Sequence, residues 1–226
     1  MKIAGIQANS FVDYEGNIST VVFTTDCNMN CWYCHNRYFL NTEGVISDDE
    51  ALAEIKKRAG FIDAVVVTGG EPTLMPDVEQ FIDEIKKMGL KVKLDTNGTN
   101  PQVLQRLLNK VDYVAMDIKA PFEKYKLATC TDDDINALKK SIKLIMESDI
   151  PYEFRTTYIP QLKKDDIINI AENIKGARLY ALQQYVARDV DGKTVPIKFN
   201  SHPSDYIRES AEAVKGLVQR VITRGI

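Results

Sequence analysis

Three cysteines, Cys27, Cys31 and Cys34, stand in a C-x3-C-x2-C spacing directly after an apolar, β-branched run at 20–25. Thiolates this close together can converge on one soft metal centre. A fully ligated [4Fe–4S] cluster takes four thiolates, so three would leave one iron open to an outside ligand. A structural zinc site usually draws on two Cys/His pairs a dozen or more residues apart, and a zinc module is the competing reading. The fourth cysteine, Cys130, lies far downstream in a Thr/Asp-rich segment and reads as an ordinary free thiol. Disulfides do not suit the close trio, which has no secretory context.

Other reactive residue types recur at the ends of short β-branched runs. Gly69-Gly70-Glu71-Pro72 follows one run, Asp95-Thr96-Asn97-Gly98 closes the next, and Asp117 with Lys119 closes another. Arg155 lies inside a fourth and Gln183-Gln184 ends a fifth. The double glycine is either a tight turn or a place where a ligand approaches the backbone, whose N–H and C=O groups can bind an amino acid's charged ends. Glu71 is also placed to cap a helix. Asp95 and Asp117 are either solvated or capping or, beside Lys119, order a cationic or zwitterionic ligand. Arg155 interrupts the alternation of Phe154, Thr156 and Tyr158, and needs an anion if it is buried. Tyr33, between the last two cysteines, either packs locally or shields the metal and stacks on a ring.

The elements that must position these residues alternate in type. Strands are expected at 19–25, 64–68, 91–96, 113–118, 152–159 and 178–183. Helices are expected at 47–59, with Ser47 and Glu50 as a capping box, and at 77–88, 101–109, 132–148 and 164–175. Gly89 and Gly176 terminate two of them. A last amphipathic helix is expected from 204 to about 223, with Ile207, Ala211, Val214, Val218 and Val221 on one packing face. Six β/α repeats predict an α/β fold with a parallel sheet, either open and doubly wound or curled into a partial barrel, and ligands collect at the carboxyl ends of such strands. The candidate residues all fall at that end.

Composition narrows the classes. A chain of 226 residues with 44% hydrophobic content suits one domain, 1–226. Lys+Arg 29 against Asp+Glu 32 gives a net charge of −3 and no basic stripe, so nucleic acid is not an expected partner. Residues 1–16 do not read as a signal peptide and no run approaches a membrane span, so a cytoplasmic protein is expected. The Asn-x-Ser/Thr triplets at Asn17 and Asn97 then carry no glycosylation meaning.

Cys27-x3-Cys31-Trp32-Tyr33-Cys34 resembles the radical S-adenosylmethionine (SAM) signature, in which an aromatic residue precedes the third cysteine. Thr68-Gly69-Gly70-Glu71-Pro72 resembles the same superfamily's methionine-binding motif. Phe11-Val12-Asp13-Tyr14-Glu15-Gly16, Cys34-His35-Asn36-Arg37, Leu94-Asp95-Thr96-Asn97-Gly98 and Met116-Asp117-Ile118-Lys119 resemble glycyl-radical-enzyme activating enzymes. Among these the anaerobic ribonucleoside-triphosphate reductase activating proteins are the nearest group, followed by pyruvate formate-lyase activating enzymes. The resemblance runs to about Gln184 and fades beyond it.

The resemblance implies a (β/α)6 partial TIM-like barrel with a [4Fe–4S] cluster on Cys27, Cys31 and Cys34, whose open iron chelates S-adenosylmethionine. It further implies that Gly69, Gly70, Glu71 and Pro72 hold the methionine ammonium, and that Lys119 and Arg155 meet its carboxylate or the neighbouring anionic groups. Tyr33 would touch adenine, with Thr96 and Asn97 near ribose or methionine. Asp95, Thr96 and Asp117 match positions that bind a monovalent cation in the pyruvate formate-lyase branch. The implied reaction is reductive cleavage of SAM to a 5′-deoxyadenosyl radical that takes the α-hydrogen of a glycine in a partner glycyl radical enzyme. With no further cysteines for a second cluster, flavodoxin or ferredoxin is the expected electron donor.

Three features depart from the pattern: Glu15 stands where proline is frequent, and Asp26 where a glycine usually precedes the first cysteine. Gln184-Tyr185-Val186 leads into a Lys/Asp/Gly-containing turn rather than a Tyr-His stretch. The rival radical enzyme is a small-molecule type such as 7-carboxy-7-deazaguanine synthase, which usually carries tryptophan at the position of Tyr33.

Overall fold

The computed structural model describes residues 1–40, 42–43, 46–187 and 199–226. β1 (Ile3–Ser10) pairs antiparallel with β2 (Ser19–Thr24). From β2 onward every pairing is parallel: β3 (Ala64–Gly69), β4 (Lys91–Thr96), β5 (Tyr113–Asp117), β6 (Tyr152–Tyr158), β7 (Tyr180–Gln184) and β8 (Val221–Arg224) follow in sequence order. Helices α1 (Arg37–Leu40) and α2 (Asp48–Arg58) follow β2, α3 (Val78–Lys87) follows β3, and α4 (Pro101–Leu107) follows β4. After β5 come α5 (Tyr125–Thr129) and α6 (Ile135–Met146), after β6 comes α7 (Lys164–Asn173), and after β7 comes α8 (Ser204–Val214). The six β/α units from β2 to α8 are those expected from the alternation. β1 and β8 do not pair with each other among the described residues, so the sheet is a partial barrel.

Local chemistry explains the helix boundaries. Ser47 Oγ accepts from the Glu50 amide while the Glu50 carboxylate accepts from the Ser47 amide, closing the expected capping box. Asp48, Asp49 and Glu50 in the first turn and Lys56, Lys57 and Arg58 in the last complement the helix dipole.

Side chains alternate across each strand. Val65, Val67, Val92, Leu94, Val114, Met116 and Phe154 point outward and are fully buried in the main hydrophobic cluster with the helices. Each contributes about 1.5–3 kcal/mol of burial. The opposite parity carries Lys93, Asp95, Asp117, Glu153 and Arg155, which line the inside of the barrel.

Two expectations are corrected. The sheet has two strands more than expected, β1 and β8. β1 was hidden because Gly5, Gln7 and Asn9 dilute its β-branched character. The last helix ends at Val214 rather than near 223: Gly216 is a poor helix residue, and the β-branched Val221, Ile222 and Thr223 pair with β7 instead. Val218 still reaches the core, 5% exposed, from the connection. The Lys/Asp/Gly-containing turn after Val186 lies outside the described residues.

Candidate active site

One cavity of ≈ 300 Å³ opens at the carboxyl ends of the parallel strands. Cys27, Cys31, Tyr33 and Cys34 line it from the loop after β2, Gly69 and Gly70 from β3, and Asp95, Thr96 and Asn97 from β4. Asp117 and Lys119 enter from β5, Arg155 and Thr157 from β6, and Gln183 from β7. Residues far apart in sequence thus meet as the strand-end argument expects. Glu71 and Pro72 do not line the cavity; both are buried beside it.

The cysteine loop is held by its own neighbours. Arg37 donates to the Cys31 carbonyl at 2.5 Å and to Asn30 at 2.7 Å, and Asn36 Nδ2 donates to the Gly69 carbonyl at 3.0 Å. Trp32 packs on Tyr33, Tyr185 and Phe199, with centroids 5.3–5.5 Å apart. Burial pushes the Cys31 thiol up to about 11 and raises that of Cys27. Metal binding must therefore displace protons from these sulfurs.

The double glycine has a concrete job. A Cβ on Gly70 would stand 2.1 Å from the Asp26 carbonyl oxygen, and one on Gly69 2.3 Å from the Thr24 amide nitrogen. The β3 end therefore packs backbone to backbone on the cysteine loop, with Gly70 N donating to Thr24 O and Glu71 N to Asp26 O, each at 2.9 Å. The Glu71 carboxylate, fully buried, accepts from Thr73 N and Oγ1, from Thr96 Oγ1 at 2.8 Å and from Asn97 N at 2.6 Å. It fastens the β3 end to the β4 end. Burial raises its pKa despite these donors.

The barrel interior is an ion-pair network. Arg155 bonds Asp117 at 2.8 Å and Asp95 at 3.1 Å, and Lys119 bonds Asp117 at 2.9 Å. Lys93 lies 3.5 Å from Asp95 and donates to the Asp13 carbonyl. Burial alone would raise the Asp117 carboxyl, but Arg155 and Lys119 override it and hold it well below the usual carboxylate range. Burial likewise opposes the charge on Lys119, yet Asp117 keeps that ammonium protonated far above its ordinary range. Sequence reasoning missed Lys93 and Glu153. Both stand two residues before a recognised residue, Asp95 and Arg155, and period-two alternation places them on the same inner face.

The residues discriminate among the expected ligands. Among the described residues no group of three or more His, Cys, Asp or Glu is set to hold a single metal ion. The hydroxyl of Tyr33 is buried with no hydrogen-bond partner, which suits a polar ligand in the cavity; Oδ1 of Asp95 accepts no hydrogen bond and has the Lys93 ammonium 3.5 Å away. Lys119 and Arg155 line the cavity with Asp13, Asp95 and Asp117, so a ligand carboxylate would share these two cations with the aspartates they already bond. At Asp95, Thr96 and Asp117 a monovalent cation would share the aspartates with Arg155, Lys119 and Lys93.

Residues 21–174 match the Radical SAM superfamily. The chain belongs to that superfamily. As a radical SAM enzyme it works with a [4Fe–4S] cluster and SAM, and Cys27, Cys31 and Cys34 are the residues present that fit the cluster. It is 36% identical, over 99% of its length and 96% of the relative's, to a protein of Methanocaldococcus jannaschii whose name provisionally gives it as a glycyl-radical enzyme activating enzyme. It is 28% identical to the 7-carboxy-7-deazaguanine synthase of Neisseria meningitidis over 66% of this chain and 68% of that one. The fold is similar to that of SuiB from Streptococcus suis, with a TM-score of 0.68 at 14% identity, covering 91% of this chain and 49% of that one.

Proposed function

We propose that this radical SAM enzyme activates a glycyl radical enzyme, and that the partner is an anaerobic ribonucleoside-triphosphate reductase. The observation that carries the reading is the end-to-end similarity to the Methanocaldococcus jannaschii relative, which leaves neither chain with a large unmatched segment. The local strings around Asp13, His35, Asp95 and Lys119 support it.

When bound, the cluster and SAM supply a 5′-deoxyadenosyl radical through one-electron cleavage of the C5′–S bond. The chain's residues bind and orient. The Gly69 and Gly70 backbone, held by Glu71 and Pro72, receives the methionine ammonium, while Lys119 and Arg155 attract the carboxylate. Tyr33 offers its ring and unpaired hydroxyl to adenine, and Thr96 and Asn97 border the ribose. Asp13, in the segment after β1, also lines the cavity. The partner's glycine would donate the hydrogen atom to that chemistry, so fixing the two reacting carbons and excluding water would be the protein's tasks. Flavodoxin or ferredoxin in the cytoplasm supplies the electron.

The similarity to 7-carboxy-7-deazaguanine synthase makes a small-molecule radical enzyme the second reading. Anaerobic incubation of the reconstituted chain with SAM, dithionite and a purified anaerobic reductase separates the two. A glycyl-radical doublet in electron paramagnetic resonance (EPR) is expected on the reductase. SAM cleavage without any doublet there removes that partner.

A further inference from the structure

Asn97 sits where the β4 end meets the cysteine loop, 6% exposed, and its side-chain orientation is fixed by its partners. Its Oδ1 accepts from Thr99 N at 3.0 Å and from Thr99 Oγ1 at 2.7 Å. Its Nδ2 must therefore face the other way, where it donates to Asn28 Oδ1 at 2.9 Å and reaches Cys27 Sγ at 3.8 Å. Asn28 Nδ2 donates back to Thr99 Oγ1 at 2.8 Å, closing a ring of three side chains. The Asn97 backbone is pinned separately, through its amide on Glu71. Cys27 Sγ also accepts from the Met29 amide at 3.4 Å.

We infer that Asn97 is a positioning residue of the metal centre: its amide, locked by Thr99 and Asn28, hydrogen-bonds the Cys27 sulfur and raises the reduction potential of the cluster held there. This goes beyond the partner assignment and rests only on membership of the superfamily. An N–H donor withdraws charge from a ligating thiolate and stabilises the more negative, reduced cluster, one of the levers by which a protein sets an iron–sulfur potential. The pinned backbone means that removing the side chain leaves the path of β4 intact. Asn28 and Thr99 attract no notice in the sequence, because neither carries reactive chemistry.

The test is an EPR-monitored redox titration of the reconstituted protein with dithionite and without SAM, so that lost cofactor contacts do not enter. Iron is quantified for every variant. Asn97→Ala is expected to keep its iron and to lower the reduced-to-oxidised ratio two- to tenfold at fixed potential, up to about 59 mV for one electron. Asn97→Asp, which faces the sulfur with an acceptor, should shift further in the same direction. Thr99→Val, which frees the amide without touching the sulfur, should shift less, and Thr99→Ser should restore the native value. A native potential in iron-loaded Asn97→Ala would overturn the inference. So would loss of iron in Asn97→Ala together with a native potential in Thr99→Val.

Discussion

The two faces of β4, β5 and β6 are built from the same backbone and do opposite work. Outward, Leu94, Met116 and Phe154 are fully buried against the helices; inward, one residue away, Asp95, Asp117 and Arg155 join an ion-pair network. The outer face gains stability from packing. The inner face spends desolvation free energy to hold charges at a cavity, a pairing that a hydrophobic interior would replace at little cost to folding. Stability and function are therefore separated by strand parity rather than by region of sequence.

The largest expected effect is on the outer face. Phe154→Ala should cost about 3–5 kcal/mol in denaturant unfolding, yet leave SAM affinity of the folded, reconstituted protein unchanged. A large affinity loss in the folded variant would show that the faces are not separable. Arg155→Met should cost somewhat less, on the order of 2–4 kcal/mol, because Asp95 and Asp117 lose their shared partner. Adding Asp117→Asn should recover part of that loss and none of the SAM affinity. If Arg155→Met is tolerated like an exposed substitution, the inner network is not the buried structure described here.

The smallest effect lies at the seam between cysteine loop and sheet. Asp26 has φ +44°, a left-handed conformation that explains why glycine commonly stands before the first cysteine. Asp26→Gly should stay within about 0.5 kcal/mol, whereas Asp26→Val should lose about 1–2 kcal/mol from the strained β-branched residue. Equal midpoints for the two would remove the backbone argument.

The alternation of β-branched and amphipathic runs makes β2 to β7 legible in the sequence, and strand-end position alone gathers Cys27, Asp95, Asp117 and Lys119. β1 and β8 were illegible for different reasons: Gly, Gln and Asn diluted one, and the other continued an apolar period that fitted a helix equally well. Glu71 shows a subtler limit. Its motif marks it as a cofactor residue, while its side chain is committed to Thr73, Thr96 and Asn97, long-range partners that no local pattern reveals. Lys93 escaped notice because an isolated lysine in a strand ordinarily faces solvent; here it is 5% exposed.

The central claim is that Cys27, Cys31 and Cys34 carry a cluster which, within this cavity, cleaves SAM reductively. The direct measurement is 5′-deoxyadenosine formed under anaerobic conditions with dithionite and SAM by the reconstituted native chain and by Cys31→Ala. The account predicts product from the native protein and none above background from the variant. Equal product from both, or none from a native chain with its full iron complement and a partner glycyl radical enzyme present, would contradict it.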